Sequence, residues 1–167
     1  MIEMKFRLAY EDDLDKVEAI FKEAINEMRR NDIDQWDSLY PDRSIIKEDI
    51  MKKELYISLS EGNIVSAYVI NKECDEEYSD GNWKYPDSSY SVIHRLCVNP
   101  KYQNQGIGKL TLQHIERQVK KQGSETIRLD VFSLNPYALK MYKKLGYSKT
   151  GEVHWRKGKF YLMEKKI

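Results

Sequence analysis

Apolar residues recur along the chain with two periods, and the places where one period gives way to the other outline a fold. Ile2, Met4, Phe6 and Leu8 alternate with polar neighbours, the period of a strand with one buried face. Leu14, Val17, Ile20, Phe21, Ala24, Ile25 and Met28 then recur at three- and four-residue steps, which predicts an amphipathic helix with Asp12 or Asp13 positioned to cap its start. Residues 31–43 keep no period and hold Trp36, Tyr40 and Pro41, so a loop is expected, followed by a short helix near 44–52. Residues 55–59 and 64–70 are rich in strand formers and are joined by Glu61-Gly62-Asn63, a hairpin connection. Residues 91–98 read as one buried strand, closed by Asn99-Pro100. Ile107, Leu110, Leu112, Ile115 and Val119 form a second helical stripe, with Gly123 at its C-terminal cap. Ile127, Leu129 and Val131 alternate as the next strand. Asn135-Pro136 opens a further helix, asparagine as cap and proline at the first helical position, and Gly146 ends it. The tail predicts a hairpin over 148–155 and 160–164, turning at 156–159.

This order of elements belongs to a mixed α/β or α+β chain, and 167 residues fit a single domain, 1–167. With 28 Lys and Arg against 27 Asp and Glu, the formal charge of +1 offers no field to a polyanion, so nucleic acid is not expected as a partner. No apolar run approaches the roughly 20 residues of a membrane span and the first residues lack the apolar core of a secretion signal; a cytoplasmic protein without membrane association is expected. Cys74 and Cys97 have no metal-ligand spacing, so no metal is expected, and Cys97 reads as a small buried hydrophobe. From 71 to 89 the chain turns polar. An excursion of that length points to a functional or mobile loop, with Asp75, Glu76 and Glu77 as a solvated acidic face.

The chemistry gathers at QNQGIGKL, residues 103–110. A strand, a glycine turn and a helix start aim backbone N–H groups and the positive helix end at one point, as a phosphate requires. The nucleotide P-loop fails here, because Gln103 stands at its first glycine and Leu110 follows Lys109; the dinucleotide fingerprint fails at Thr111. What remains is Gln-x-x-Gly-x-Gly read with its surroundings. LCVNPKYQNQGIGKL, followed one helix later by LDVFSLNPYALKMYKKLGY, closely resembles the acyl-coenzyme A binding core of the GNAT superfamily of N-acetyltransferases. The likeness covers about residues 91–147, and the order of elements outside it agrees.

The resemblance implies a mostly antiparallel sheet of six or seven strands flanked by about four helices, and acetyl-CoA as co-substrate. It implies that the amides of Gln103, Asn104, Gln105, Gly106, Ile107, Gly108 and Lys109 bind the pyrophosphate, where side chains at 106 and 108 would hold phosphate oxygens away. It implies that the strand through Leu96, Cys97 and Val98 splays from its neighbour, leaving backbone groups for the pantetheine arm. Asn135 is implied as a coenzyme A contact, although the helix cap alone explains it. Tyr142 stands at the motif position of the general acid, and a phenol can protonate a departing thiolate. The position where histone-type members carry a strand glutamate is Val92 here, so that base is not carried over. His94 is the nearest alternative; its spacing to the glycine loop resembles that of a histidine in arylalkylamine acetyltransferases, and imidazole titrates near neutrality. A satisfied core histidine is the other reading.

By the same resemblance Trp36, Asp37 and Tyr40, with Asp34 and the 71–89 excursion, wall the acceptor pocket. Carboxylates beside aromatics suit a cationic amine. The leading expectation is direct acetyl transfer to the primary amine of a small molecule such as an amino acid, a polyamine or an aminated drug. A peptide N-terminus or lysine side chain is the alternative, and a non-catalytic coenzyme A sensor is a second class. Such enzymes are often dimers, but no sequence feature here sets a homodimer.

Overall fold

The structure, a computed structural model, describes residues 2–167. Its elements follow in the order β1 (Lys5–Leu8), α1 (Leu14–Arg30), α2 (Arg43–Met51), β2 (Leu55–Ser60), β3 (Asn63–Asn71), β4 (Tyr90–Ile93), β5 (Cys97–Val98), α3 (Ile107–Lys121), β6 (Thr126–Phe132), α4 (Pro136–Lys144), β7 (Ser148–Trp155) and β8 (Gly158–Lys166). The described residues thus form a mixed α/β fold of four α-helices and eight mostly antiparallel strands, where six or seven strands were expected. Two compact units divide the chain: residues up to Ile70 with Arg95–Thr111, and Asn71–His94 with Leu112–Ile167.

In the first unit β1, β2, β3 and β5 pair antiparallel in that order. Val17, Phe21 and Ala24 of α1 join Ile57, Ala67 and Cys97 in one buried cluster, the outcome of the helical stripe meeting one strand face. The opposite face carries buried Ser58 and Ser66, and the Ser66 hydroxyl lies 2.8 Å from that of Thr111 on α3. Asp13 does not cap α1 as expected. Its carboxylate takes the Arg7 guanidinium at 2.8 and 3.1 Å and the Tyr10 amide at 2.7 Å, a charge-assisted fork that outcompetes a helix amide. Asp42, which the pattern did not single out, caps α2 through the Ile45 amide at 2.9 Å.

In the second unit β4 runs parallel to β6, β8 antiparallel to β6, and β7 antiparallel to β8. The strand expected over 91–98 is broken. The ladder stops at Ile93 and resumes at Cys97, so Val92, His94, Leu96 and Val98 do not line one regular strand face. Arg95, inside the break, is bonded to Asp49 of α2 instead of taking a place in a ladder. Asn135 caps α4 by accepting from the Ala138 amide at 3.1 Å, as the sequence predicts.

The 71–89 excursion is held down at several points. Tyr78, in a 3-10 turn over Glu76–Asp80, is buried; the Trp83 indole donates to the Tyr78 carbonyl at 2.9 Å. The amides of Lys84 and Tyr85 donate to the buried Glu164 carboxylate of β8 at 2.8 and 3.3 Å. Arg128 of β6 lies 4.3 Å from the Trp83 ring centroid and 4.0 Å from that of Tyr90. Asp75, Glu76 and Glu77 remain exposed. Under this cover β6 is buried at every position but one, and the exception is Asp130.

Candidate active site

The glycine loop is anchored before it begins. Asn99 is buried; its side-chain amide donates to Ile64 O at 2.9 Å, its backbone amide donates to Val65 O at 2.9 Å, and its side-chain oxygen accepts from the Lys101 amide at 3.1 Å. From that point Gln103, Asn104, Gln105, Gly106 and Lys109 are exposed, Gly108 is half-buried, and Ile107 turns inward as the first core residue of α3. The first bond of the helix runs from the Leu110 amide to Gly106 O at 3.0 Å, so the preceding amides are those that a helix leaves without internal acceptors. Gly106 has φ +77°, a conformation that L side chains rarely adopt, and a Cβ built there meets no atom within 4 Å. Neighbouring side chains therefore do not require the glycine; the backbone conformation and the open space before the amides account for it, and both suit a pyrophosphate. Gly106→Ala is expected to lower stability by about 1 kcal/mol through strain alone. It should weaken coenzyme A binding more, by about tenfold, and thermal melts beside calorimetric titration would resolve the two effects.

β5 pairs with β3 through Ala67↔Cys97 and Ser66↔Val98, and among the described strands no partner pairs with its other edge. Leu96 and Val98 are half-buried. The Cys97 thiol is buried and pushed up to about 12 by that burial, so it stays a neutral thiol and any part it plays runs through its backbone.

Tyr142 of α4 is 7% exposed, with its ring edge-on to Tyr147 at 5.5 Å. Burial, and after it the charge of Asp130, push its hydroxyl well above the ordinary 10. Asp130 was not singled out from the sequence; it stands between Leu129 and Val131, on the other face of the alternation. It accepts from the Tyr78 hydroxyl at 2.7 Å. His94 follows β4 directly and is half-buried, its Nε2 2.6 Å from Asn71 Oδ1. That oxygen also accepts from the Glu73 amide at 2.9 Å, which makes His94 Nε2 the donor and leaves Nδ1 as the basic nitrogen. The β4·β6 register ends at Ile93↔Leu129, one residue before both His94 and Asp130.

The residues expected at the acceptor wall divide. Trp36 is 8% exposed and packs against Phe21 at 5.6 Å, so its cover is the core. Asp37 accepts from the Leu39 amide at 2.9 Å within a tight turn, while Asp34 is exposed. Tyr40 is 38% exposed, and its hydroxyl accepts from Arg95 NH1 at 2.6 Å. A cleft of about 260 Å³ opens elsewhere on the first unit, between α1 and the turn before β3. It is lined by Lys16, Glu23, Asn63 and Lys101 and holds none of the expected residues. Among the described residues no His, Cys, Asp and Glu cluster could hold a metal, and no helix is long and apolar enough to cross a membrane.

Known proteins are similar to this chain in sequence and in fold. A family model described as Acetyltransferase (GNAT) family matches residues 18–147. Over 58 residues the chain is 33% identical to the ribosomal protein bS18-alanine N-acetyltransferase of Escherichia coli strain K12; the match takes in 35% of this chain and 39% of that protein, so the chain spans about two fifths of that relative's length. Against the S-(2-succino)cysteine N-acetyltransferase of Bacillus subtilis strain 168 the identity is 23%, over 97% of this chain and 94% of that one. A GNAT-family acetyltransferase from Streptococcus agalactiae 2603 shares the fold, with a TM-score of 0.86 at 22% identity over 100% and 98% of the two chains.

Proposed function

The chain belongs to the acetyltransferase (GNAT) family, and from that premise we propose that it transfers an acetyl group from acetyl-CoA to the primary amine of a small molecule, with Tyr142 as general acid. The observation that carries the reading is the Tyr142 phenol, 7% exposed on α4 with its ring edge-on to Tyr147, raised above its ordinary value by burial and then by the Asp130 charge. Acetyl-CoA supplies an activated thioester. The amides from Gln103 to Lys109 hold its pyrophosphate, and the open backbone edge of Leu96, Cys97 and Val98 receives the pantetheine arm. As the new N–C bond forms and the C–S bond breaks, the proton leaving the amine goes to Asp130 and the Tyr142 hydroxyl proton goes to sulfur; solvent then takes the proton from Asp130 and returns one to the Tyr142 oxygen, restoring both groups.

A small acceptor is favoured because the relative matched along nearly the whole chain is named for S-(2-succino)cysteine, whereas the protein-directed relative matches over 58 residues only. Both names specify the amine of an amino acid. Tyr40, fixed by Arg95, is the exposed aromatic of the acceptor wall in this reading. Thiol release from acetyl-CoA would be followed with S-(2-succino)cysteine, L-alanine, spermidine and a peptide beginning with alanine. Turnover of the peptide alone would overturn the small-molecule acceptor, and coenzyme A binding with no turnover would favour a sensor.

Asp130 is preferred to His94 as base because it adjoins the acid electrostatically. Asp130→Asn is expected to lower kcat/KM about 10²-fold near neutrality, the low end for a general base. Activity should recover at high pH, where water takes the amine proton. If His94→Gln produces that pattern and Asp130→Asn does not, the base is His94.

A further inference from the structure

We infer that Tyr78 is a positioning residue for the Asp130 carboxylate, so that the 71–89 excursion takes part in acetyl transfer; this rests on the role given above to Asp130. Tyr78 is 2% exposed, and its hydroxyl donates to Asp130 Oδ2 at 2.7 Å. Burial first, then the Asp130 charge and this hydrogen bond, push the phenol well above its ordinary range. It remains a donor wherever the enzyme works.

The donor is fixed from several sides. The Trp83 ring lies 5.6 Å from that of Tyr78, and its indole N–H holds the Tyr78 carbonyl. A Cβ on Gly81 would come within 2.8 Å of that indole, so the turn closes this tightly only with glycine there. Past the turn, the Asn82 amide donates to Thr150 O at 2.7 Å, and the Lys84 and Tyr85 amides to Glu164. These contacts fasten the excursion, and none of them uses the Tyr78 hydroxyl. What the hydroxyl adds is a fixed donor to the one residue of β6 that is not buried.

The consequence is electrostatic. A hydrogen bond to an ionised carboxylate favours the charged form, the form that accepts the amine proton. The groups that face or flank Asp130 are Tyr78 from the turn, the Tyr142 phenol of α4, and Arg128 two residues earlier on β6; Leu162 stands opposite on β8 and His94 follows the end of β4. Tyr78→Phe removes the 2.7 Å donor and leaves these other groups in place. The Asp130 carboxyl should then hold its proton to higher pH, and the acid limb of kcat/KM should move the same way.

The test pairs carbon-13 titration of aspartate carboxyls with pH–rate profiles, using wild type, Tyr78→Phe, and Asp130→Asn to assign the signal. S-(2-succino)cysteine and an alanine-terminated peptide serve as amine probes. In Tyr78→Phe the Asp130 midpoint is expected at higher pH and kcat/KM on the acid limb roughly tenfold lower, with an unchanged amide spectrum and KM for acetyl-CoA. A midpoint that matches wild type would overturn the inference, whatever the activity. Full activity in Asp130→Asn would instead remove the base role, and that failure is distinct because the titration still reports the hydrogen bond.

Discussion

Tyr142→Phe is expected to lower kcat about 10³-fold, within the range for a general acid, and to leave both the KM for acetyl-CoA and the fold in place. The substitution removes one oxygen. The ring stays edge-on to Tyr147, whose hydroxyl donates to Glu116 at 3.1 Å while Lys165 holds the same Glu116 oxygen at 2.9 Å. The packing of α4 against this group is therefore kept, and the loss must be chemical. The sole buried side-chain polar atom left without a partner among the described residues is Arg128 Nε, so the Tyr142 hydroxyl is not sealed in the core. Raised by burial and by Asp130, it also stays protonated as pH rises through neutrality, so Tyr142 should add no alkaline limb to the wild-type profile below about pH 10. Steady-state thiol release with parallel thermal melts would measure both halves of the expectation. A wild-type rate in the variant would take Tyr142 out of the chemistry.

Arg95→Leu is expected to cost about 3–5 kcal/mol of stability, the range for removing one member of a buried ion pair, and to lower Tm by about 10 °C. The Arg95 and Asp49 side chains are 11% and 9% exposed, joined by Nε to Oδ2 at 3.0 Å and NH2 to Oδ1 at 2.6 Å. Burial pushes the Asp49 carboxyl above its ordinary value even with Arg95 beside it. Without the guanidinium the rise should be larger. A carboxyl whose folded-state value is raised favours the folded state at low pH, and that contribution is lost as pH rises through the raised value. The deficit of the variant should therefore shrink on acidification, and denaturant melts at pH 5 and pH 8 would read the difference. The double variant Asp49→Leu/Arg95→Leu should regain most of the loss, because it buries no lone charge. A single variant as stable as wild type at pH 8 would mean that water reaches Asp49.

The elements that were legible in the sequence depend on neighbours along the chain. Asn135 reaches an amide three residues on, and Glu61 and Gly62 close a hairpin through their own φ angles. The helix of Leu14 to Met28 repeats its stripe every turn. The glycine loop was legible for the same reason, since its signal is backbone conformation and helix direction. The strand over 91–98 was misread because apolar residues stand on both sides of His94 and Arg95, while the break holds Arg95, whose partner lies 46 residues away. Trp36 was open between packing and pocket until the position of Phe21 was known.

By itself the sequence determined the family core: the order of elements, the turn before α3, the cap of α4 and the position of Tyr142. These follow from periods, caps and φ preferences that act within a few residues. Only the tertiary structure decided that the polar excursion is a fastened cover, that β6 is buried on both faces, and that Asp130 stands half-buried there with Tyr78, 52 residues away in the chain, as its donor. A carboxylate in an alternating strand reads as solvated. Whether it is solvated depends on what lies over its face, and that is settled by packing between segments distant in sequence.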